Sequence, residues 1–288
     1  MHWTFIGAGN RASSLIGGLI AAGTAAPSIQ VVDPDANALA RAKSRFNISP
    51  ASDIDTALSM HPNDSGIVLA VKPHIVEAVC KDINAASHAP KLLVSVAAGV
   101  RSTSMQSWLG DTPVVRCMPN TPALLGLGAT ALYATENCHQ EQKQAAEELL
   151  NTAGIKRWVS GEAQLDAITA LSGSGPAYFF YLIEHMTAAG ISLGLDKDTA
   201  ETFAKETAFG AASMARTSDD SPATLRQNVT SKGGTTAAAL SAFNEANTPA
   251  IIARAMQAAN DRAVELGDDL AAEGENNGAP PCLSLIHI

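Results

Sequence analysis

The chain has 288 residues, of which 46% are hydrophobic and 16% charged, and its formal net charge is −9. This length can bury a substantial core in one or two domains, and the composition is typical of a globular protein. The acidic balance argues against a nucleic-acid partner or an anionic membrane surface, since either requires a basic face. No apolar run reaches the ~18 residues that span a bilayer, and the first residues lack a signal-peptide pattern, so we expect a cytoplasmic protein without a membrane partner.

The four cysteines are scattered along the chain and form no C-x-x-C pair. They are Cys80, Cys117, Cys138 and Cys282. This spacing supports neither a disulfide framework nor a zinc site, and we expect no metal.

The first half of the chain alternates short apolar, β-branched segments with helix-like segments. Strands are predicted at residues 3–6, 29–32, 66–71, 91–96, 113–118 and 129–133, and helices at 13–22 and 37–45. Continuous apolar strands separated by helices indicate a parallel sheet covered on both faces.

The second half is rich in alanine, with apolar residues at helical spacing. Helices are predicted at residues 163–171, 178–193, 199–217, 235–246 and 249–272. Many small residues in these segments favour close helix packing, within the chain or between chains. A polar segment with several helix breakers begins at Gly274, and we expect residues 273–288 to be a disordered or non-native tail.

A G-x-G-x-x-A sequence connects the first predicted strand to the first predicted helix. It consists of Gly7, Ala8, Gly9, Asn10, Arg11 and Ala12. Gly7 permits a tight turn, Gly9 allows a pyrophosphate to approach the backbone, and Ala12 allows close packing of helix and strand. The alternative is a packing turn without a ligand. We predict a Rossmann-type dinucleotide-binding α/β domain at residues 1–162, followed by an all-α domain at residues 163–272.

Asp33 closes the second predicted strand, where an acidic side chain accepts hydrogen bonds from the adenosine ribose. Its charge repels a 2′-phosphate and so favours NADH over NADPH. Arg11, Arg41 and Arg45 counter that preference if they reach the site. Alternatively, Asp33 starts a turn and caps the next helix.

Two further segments follow predicted strands at the carboxyl edge of the sheet, where ligands of open α/β sheets bind. The first is Ala70, Val71, Lys72 and Pro73, and the second contains Asn120 within the sequence R-C-M-P-N-T-P. The prolines make the second loop rigid. Either segment is alternatively a structural turn.

Two loops of the helical half each precede a helix. One carries Ser174, Gly175, Pro176 and Ala177, and the other carries Ser231, Gly234, Thr235 and Thr236. Free backbone N–H groups at residues 234–236 are suited to holding a carboxylate. As isolated loops, both are equally compatible with ordinary helix caps.

The ordered set G-A-G-N, A-V-K-P, R-C-M-P-N-T-P, L-S-G-S-G-P-A-Y and V-T-S-K-G-G-T-T resembles pyrroline-5-carboxylate reductases from about residue 3 to residue 270. The resemblance implies reduction of 1-pyrroline-5-carboxylate to proline with NADPH or NADH. It implies a substrate carboxylate held at Gly234, Thr235 and Thr236, with Ser231 nearby, and a nicotinamide held by residues 174–177. It also implies that the helical domain is a dimerisation domain, and that homodimers assemble into decamers in many members.

The chemistry that the resemblance implies requires little acid–base catalysis. A protonated cyclic imine accepts a hydride readily, so the protein mainly positions the reactants and excludes water. We assign Thr236 as the catalytic residue, because its hydroxyl is expected near the ring nitrogen. The chain departs from the family at Arg11, where Met is usual, and at Lys232, where Pro is usual.

Two other functions remain to be tested. A dehydrogenase of the 3-hydroxyacid type shares the first domain but relies on a catalytic lysine in its helical domain, and Lys197 and Lys205 have no glycine-rich setting. A non-catalytic nucleotide-binding protein is the second alternative, which measurable turnover would exclude.

Overall fold

The computed structural model describes residues 1–62 and 64–276, and the chain divides into two compact units. Of the described residues, the first unit comprises Met1–Gly173 and those from Asn260 to Asn276, and the second comprises Ser174–Ala259. Within the described residues, no helix is both long and apolar enough to cross a membrane.

The first unit is built on one sheet. Its strands are β1 (His2–Ile6), β2 (Gln30–Val32), β3 (Ser49–Pro50), β4 (Ser65–Leu69), β5 (Leu92–Ser95), β6 (Val114–Met118), β7 (Gly128–Ala134) and β8 (Gly154–Trp158). The order is β3-β2-β1-β4-β5-β6-β7-β8, and every neighbouring pair is parallel except β6 and β7.

The sequence predicted a parallel sheet, and the antiparallel pairing of β6 with β7 corrects that prediction at one place. Only residues 119–127 connect the two strands, which is shorter than the dozen or more residues that a parallel crossover requires. β3 and β8 were not predicted. β3 has two residues, and β8 alternates partly buried with exposed positions at the sheet edge.

Helices cover both faces of the sheet, as predicted. They are α1 (Asn10–Ala21), α2 (Ala36–Phe46), α3 (Ile54–Met60), α4 (Val76–Ala85), α5 (Ser102–Leu109), α6 (Gln140–Leu149) and α7 (Gln164–Ile168). Successive strand residues point to opposite faces, so Phe5 packs in one apolar core with α1 and Ile6 in the other with α3 and α4. The predicted combination of a Rossmann-like sheet domain and a helical domain is confirmed.

The remaining helices are α8 (Gly175–Ser192), α9 (Lys197–Thr217), α10 (Pro222–Asn228), α11 (Thr235–Glu245) and α12 (Thr248–Asn276). The helix predicted at 163–171 is α7 followed by a π-helical turn at Thr169–Gly173. α12 continues to Asn276, into the segment predicted as a tail, while residues 277–288 and Cys282 lie outside the described residues. The other three cysteines are free and buried.

A buried ion pair joins β6 to the segment before α7. The side chain of Arg116 is 6% exposed and pairs with the carboxylate of Glu162. Glu162 also accepts hydrogen bonds from the backbone N–H and the hydroxyl of Ser102, at 2.6 and 2.8 Å. Burial alone would raise the pKa of Glu162, but Arg116 and Ser102 outweigh it and hold the pKa below its ordinary value.

A second ion pair lies beside the first. Arg101, at the start of α5, donates to the carboxylate of Asp166 in α7 at 2.6 Å and lies 3.6 Å from Asp268 in α12. Asp166 is almost fully buried. The two pairs therefore attach the segment before α7 to β6 and attach α7 and α12 to the start of α5.

We predict that Glu162→Gln lowers the free energy of unfolding by about 3 kcal/mol, because it leaves the buried Arg116 without a counter-charge. Urea denaturation at fixed protein concentration measures the change. The control is Glu201→Gln, which removes the carboxylate from an exposed ion pair with Lys205 and should change the free energy of unfolding far less. Equal effects of the two substitutions would contradict a special role for Glu162.

The lowered pKa also predicts the pH dependence of this stabilisation. It is fully present above the unfolded-state pKa of about 4.3 and is lost as pH falls through the lower folded-state pKa. Stability of the wild type should therefore fall more steeply than that of Glu162→Gln below about pH 5. Parallel curves for the two proteins would show that Glu162 does not titrate as described.

Candidate active site

The glycine turn after β1 has the geometry of a dinucleotide site. Gly7 has φ +101°, which L side chains rarely adopt, and a Cβ there would lie 2.9 Å from the carbonyl oxygen of Ala70. Gly9 has an extended backbone, and a Cβ on it would meet no atom within 4 Å. Gly7 is therefore required by the fold, whereas Gly9 borders open space where a phosphate can approach.

The first turn of α1 presents free backbone donors. Its first intrahelical hydrogen bond runs from the N–H of Ser13 to the carbonyl of Gly9 at 2.9 Å. The N–H groups of Asn10, Arg11 and Ala12 thus have no intrahelical acceptor, and no side chain caps the helix. These donors and the positive end of the helix dipole fit the pyrophosphate of a dinucleotide.

Asp33 lies beside this turn, at the end of β2. Its carboxylate accepts the N–H of Ala8 at 2.7 Å and that of Asp35 at 2.8 Å, one on each oxygen. The side chain thus stabilises both the glycine turn and its own loop. Each oxygen retains a lone pair that can accept a ribose hydroxyl.

The three arginines considered from the sequence have separate positions. Arg41 lies 3.8 Å from Asp35, whereas Arg45 stacks over Phe46. Arg11 donates to the carbonyl of Val96, beyond β5. Only Arg41 is paired with the loop that contains Asp33.

A cavity of about 330 Å³ opens beside the first turns of α1. Its lining includes Arg11, Val96, Met118, Asn120 and Gly173. Val96 follows β5 and Met118 ends β6, so the cavity lies at the carboxyl edge of the sheet, as predicted for a ligand site.

Asn120 lines this cavity, and its amide makes two hydrogen bonds within the protein. Its oxygen accepts the N–H of Ala129 at 2.9 Å, and its nitrogen donates to the hydroxyl of Ser172 at 3.1 Å. Sequence reasoning identified the residue but missed that Ser172 orients it. The L-S-G-S-G-P motif itself was the available signal.

The predicted segment at residues 70–73 lies against the glycine turn. The N–H of Ala70 donates to the carbonyl of Ile6 at 2.9 Å, and the side chain of Val71 faces Gly7. Lys72 is exposed, and Pro73 opens a short 3₁₀ turn.

The second unit contains the two predicted loops of the helical half. α8 begins at Gly175, with Pro176 in its first turn and a hydrogen bond from the N–H of Ala177 to the carbonyl of Ser174 at 3.0 Å. α11 begins at Thr235 and has no side-chain cap.

The structure corrects the set of free amides at α11. The sequence had predicted a free N–H at Gly234, but this N–H donates to the carbonyl of Ser231 at 3.1 Å. The first helical bond runs from Ala238 to Gly234, so Thr235, Thr236 and Ala237 have N–H groups without an intrahelical acceptor. Sequence reasoning missed Ala237, because the position of the turn before the helix decides which amides are free.

No candidate metal site is evident among the described residues. Among residues 1–62 and 64–276, no group of three or more His, Cys, Asp or Glu side chains is placed to hold a metal ion.

The parallel sheet, the glycine turn and the uncapped helix define the first unit as a Rossmann-type nucleotide-binding domain. Residues 3–99 match the family described as NADP oxidoreductase, coenzyme F420-dependent. Residues 162–266 match the family described as pyrroline-5-carboxylate reductase dimerisation.

Relatives that match nearly the whole chain belong to the same family as the match at residues 162–266. Pyrroline-5-carboxylate reductase of Pseudomonas aeruginosa is 46% identical over 92% of this chain and 97% of its own length. A structure of a pyrroline-5-carboxylate reductase from Coxiella burnetii is 39% identical, with a TM-score of 0.86 over 92% of this chain and 98% of that one. The Plasmodium falciparum enzyme with NADP bound has 26% identity and a TM-score of 0.80, over 93% and 98% of the two chains. The chain belongs to the pyrroline-5-carboxylate reductase family.

We predict that Gly9→Ala weakens dinucleotide binding at least about tenfold, because its methyl group occupies the space left for the pyrophosphate. The free energy of unfolding should fall by no more than about 1 kcal/mol, because alanine is a poorer N-cap residue than glycine. Calorimetric titration and urea denaturation measure the two effects. Gly7→Ala is the comparison and should lower stability itself, owing to its positive φ and its contact with Ala70. A Gly9→Ala protein with normal affinity would place the pyrophosphate elsewhere.

Proposed function

We propose that this chain reduces 1-pyrroline-5-carboxylate to L-proline with NADPH or NADH. The observation that carries the proposal is family membership over nine-tenths of the chain, together with the free amides at the start of α11. Membership in this family decides against the 3-hydroxyacid dehydrogenase considered from the sequence.

We assign cofactor binding and substrate binding to different predicted domains. We assign residues 1–162 to cofactor binding and residues 163–272 to substrate binding and dimerisation. The matches at residues 3–99 and 162–266 support this division.

The cofactor contacts are assigned to the Rossmann unit and the segment that follows it. The glycine turn and the first amides of α1 bind the pyrophosphate, and Asp33 binds the adenosine ribose. Residues 70–73, Asn120 and residues 174–177 complete these contacts. When bound, the nicotinamide supplies the hydride that reduces the imine carbon.

The substrate contacts are assigned to the start of α11. The free N–H groups of Thr235, Thr236 and Ala237 bind the carboxylate, favoured by the helix dipole. Ser231 and Gly234 shape the turn that exposes them: a Cβ on Gly234 would lie within 3.2 Å of the carbonyl oxygen of Ser231. The Thr236 hydroxyl donates a hydrogen bond to the ring nitrogen, which positions the imine and assists its protonation.

The family match indicates an oligomer with a dimerisation domain. We propose a homodimer in which α8 is a major contact, and assembly of dimers into a decamer. Phe179, Phe180 and Tyr181 on α8 are 61–65% exposed in the single chain. Adjacent exposed aromatic residues of this kind support burial against a second copy. We place the enzyme in the cytoplasm, in keeping with the expectation from its sequence.

The first experiment follows the oxidation of NADH and of NADPH with and without pyrroline-5-carboxylate. Substrate-dependent oxidation with proline as the product supports the proposed reaction. Folded protein that binds the dinucleotide but does not oxidise it with this substrate would favour a binding-only role.

We predict that Thr236→Ala lowers kcat at least about tenfold while leaving the Kd of the cofactor within about twofold, because only the hydrogen bond to the reacting imine is lost. Thr236→Ser retains the hydroxyl and should recover most of the turnover. Steady-state kinetics and calorimetric titration separate the two quantities. Equal losses of turnover and cofactor affinity would contradict the catalytic assignment.

We predict that Asp33→Asn raises the ratio of NADPH to NADH in kcat/KM by about tenfold, because it removes a negative charge from the position of the 2′-phosphate. The carboxamide oxygen still accepts the Ala8 N–H, whereas the hydrogen bond from the Asp35 N–H is lost. Asp35→Asn is a matched control, with the same charge change two residues away. Equal shifts from both substitutions would assign the preference to the overall charge of the loop.

A further inference from the structure

The side chain of Arg11 extends from the start of α1 to the residue that follows β5. Arg11 is the second residue of α1, and its Nη1 donates to the carbonyl oxygen of Val96 at 3.2 Å. Val96 directly follows β5, whose neighbours are β4 and β6. This contact places the guanidinium at the carboxyl edge of the sheet, beside the uncapped first turn of α1.

Arg11 is an exposed residue that borders a cavity and pairs with no carboxylate among the described residues. Arg11 is the one charged side chain among the described residues that line the 330 Å³ cavity. It has no carboxylate partner within the described chain, and its bond to Val96 uses one of five N–H donors. The cation therefore faces a cavity whose walls provide no negative charge to neutralise it.

The position of Arg11 identifies which part of the dinucleotide it meets. β2, which carries Asp33, lies on one side of β1, and β4, β5 and β6 lie on the other. A dinucleotide whose adenosine ribose meets Asp33 extends its nicotinamide half towards β4–β6. The phosphate on the nicotinamide side is then the anion nearest to Arg11.

We propose that the side chain of Arg11 binds the nicotinamide-side phosphate of the cofactor and supplies a contact that the backbone amides of α1 do not. This inference rests on the proposed function only in that the ligand is a nicotinamide dinucleotide. The guanidinium forms charge-assisted hydrogen bonds with phosphate, about twice as strong as neutral ones. The Val96 carbonyl holds it in place before the ligand arrives, which reduces the entropic cost of binding.

The test compares ligands that carry different phosphates. ADP-ribose contains both phosphates of the dinucleotide without the nicotinamide, whereas AMP contains only the adenosine-side phosphate. Arg11→Met removes the charge at similar side-chain length. It should weaken NADPH, NADH and ADP-ribose by about 10- to 100-fold and AMP by less than about threefold. Calorimetric titration of the full chain measures the Kd of each ligand that binds tightly. Displacement of bound NADPH measures the Kd of AMP.

Two further variants separate this role from a structural one. Arg11→Lys keeps the charge but loses the planar fork, and should recover part of the affinity for ADP-ribose. Arg45→Met makes the same charge change on α2, outside the cavity lining, and should leave all four affinities unchanged. The affinity of the wild type for ADP-ribose should also fall more steeply with added salt than that of Arg11→Met.

Unchanged affinity of Arg11→Met for ADP-ribose would overturn the proposal, as would equal losses for ADP-ribose and AMP. The second result would mean that Arg11 supports the whole turn by tying α1 to β5. These outcomes do not depend on substrate turnover. A wild type that binds ADP-ribose through Arg11 but does not reduce pyrroline-5-carboxylate would contradict the proposed function alone.

Discussion

The buried pair between Arg116 and Glu162 constrains the arrangement of the candidate site. Two buried charges stabilise a structure only while each has its partner, so neither residue can be lost alone without a large penalty. Arg116 lies two residues before Met118 and four before Asn120, which line the cavity. Glu162 lies two residues before the start of α7, whose end leads to Ser172. The ion pair thus holds together the two segments that Asn120 then joins by its hydrogen bond to Ser172.

The two helices proposed to bind anions share a feature that other helices lack. α1 and α11 have glycine at the N-cap, Gly9 and Gly234, and no side chain satisfies their first N–H groups. By contrast, α2, α3, α9 and α10 are capped by Asp or Ser side chains. A side-chain cap competes with a ligand for the same donors, so a glycine N-cap leaves them available. The chain therefore combines side-chain caps on these four helices with glycine N-caps at the two places where a negative charge is expected.

Helices and strands were predictable from the sequence where a single pattern of apolar residues dominated the segment. Buried strands such as β4 are short apolar runs, and α9 has clear helical spacing, so both were found within a few residues. β3 and β8 carry no such run, because an edge strand is exposed and owes its existence to pairing with a neighbour. The prediction of a helix at 163–171 was wrong in its second half. There the chain forms a π-helical turn at Thr169–Gly173, which places Gly173 against Met118.

The sequence by itself determined the family, the dinucleotide turn and the order of sheet and helical segments, because each depends on local patterns of glycine, proline and apolar residues. Tertiary structure alone decided which polar groups meet across the fold. It directed one oxygen of Asp33 to the N–H of Ala8 and the guanidinium of Arg11 to the carbonyl of Val96. The physical reason is that a hydrogen bond between residues 25 or 85 positions apart depends on how elements pack, and no local pattern specifies that packing.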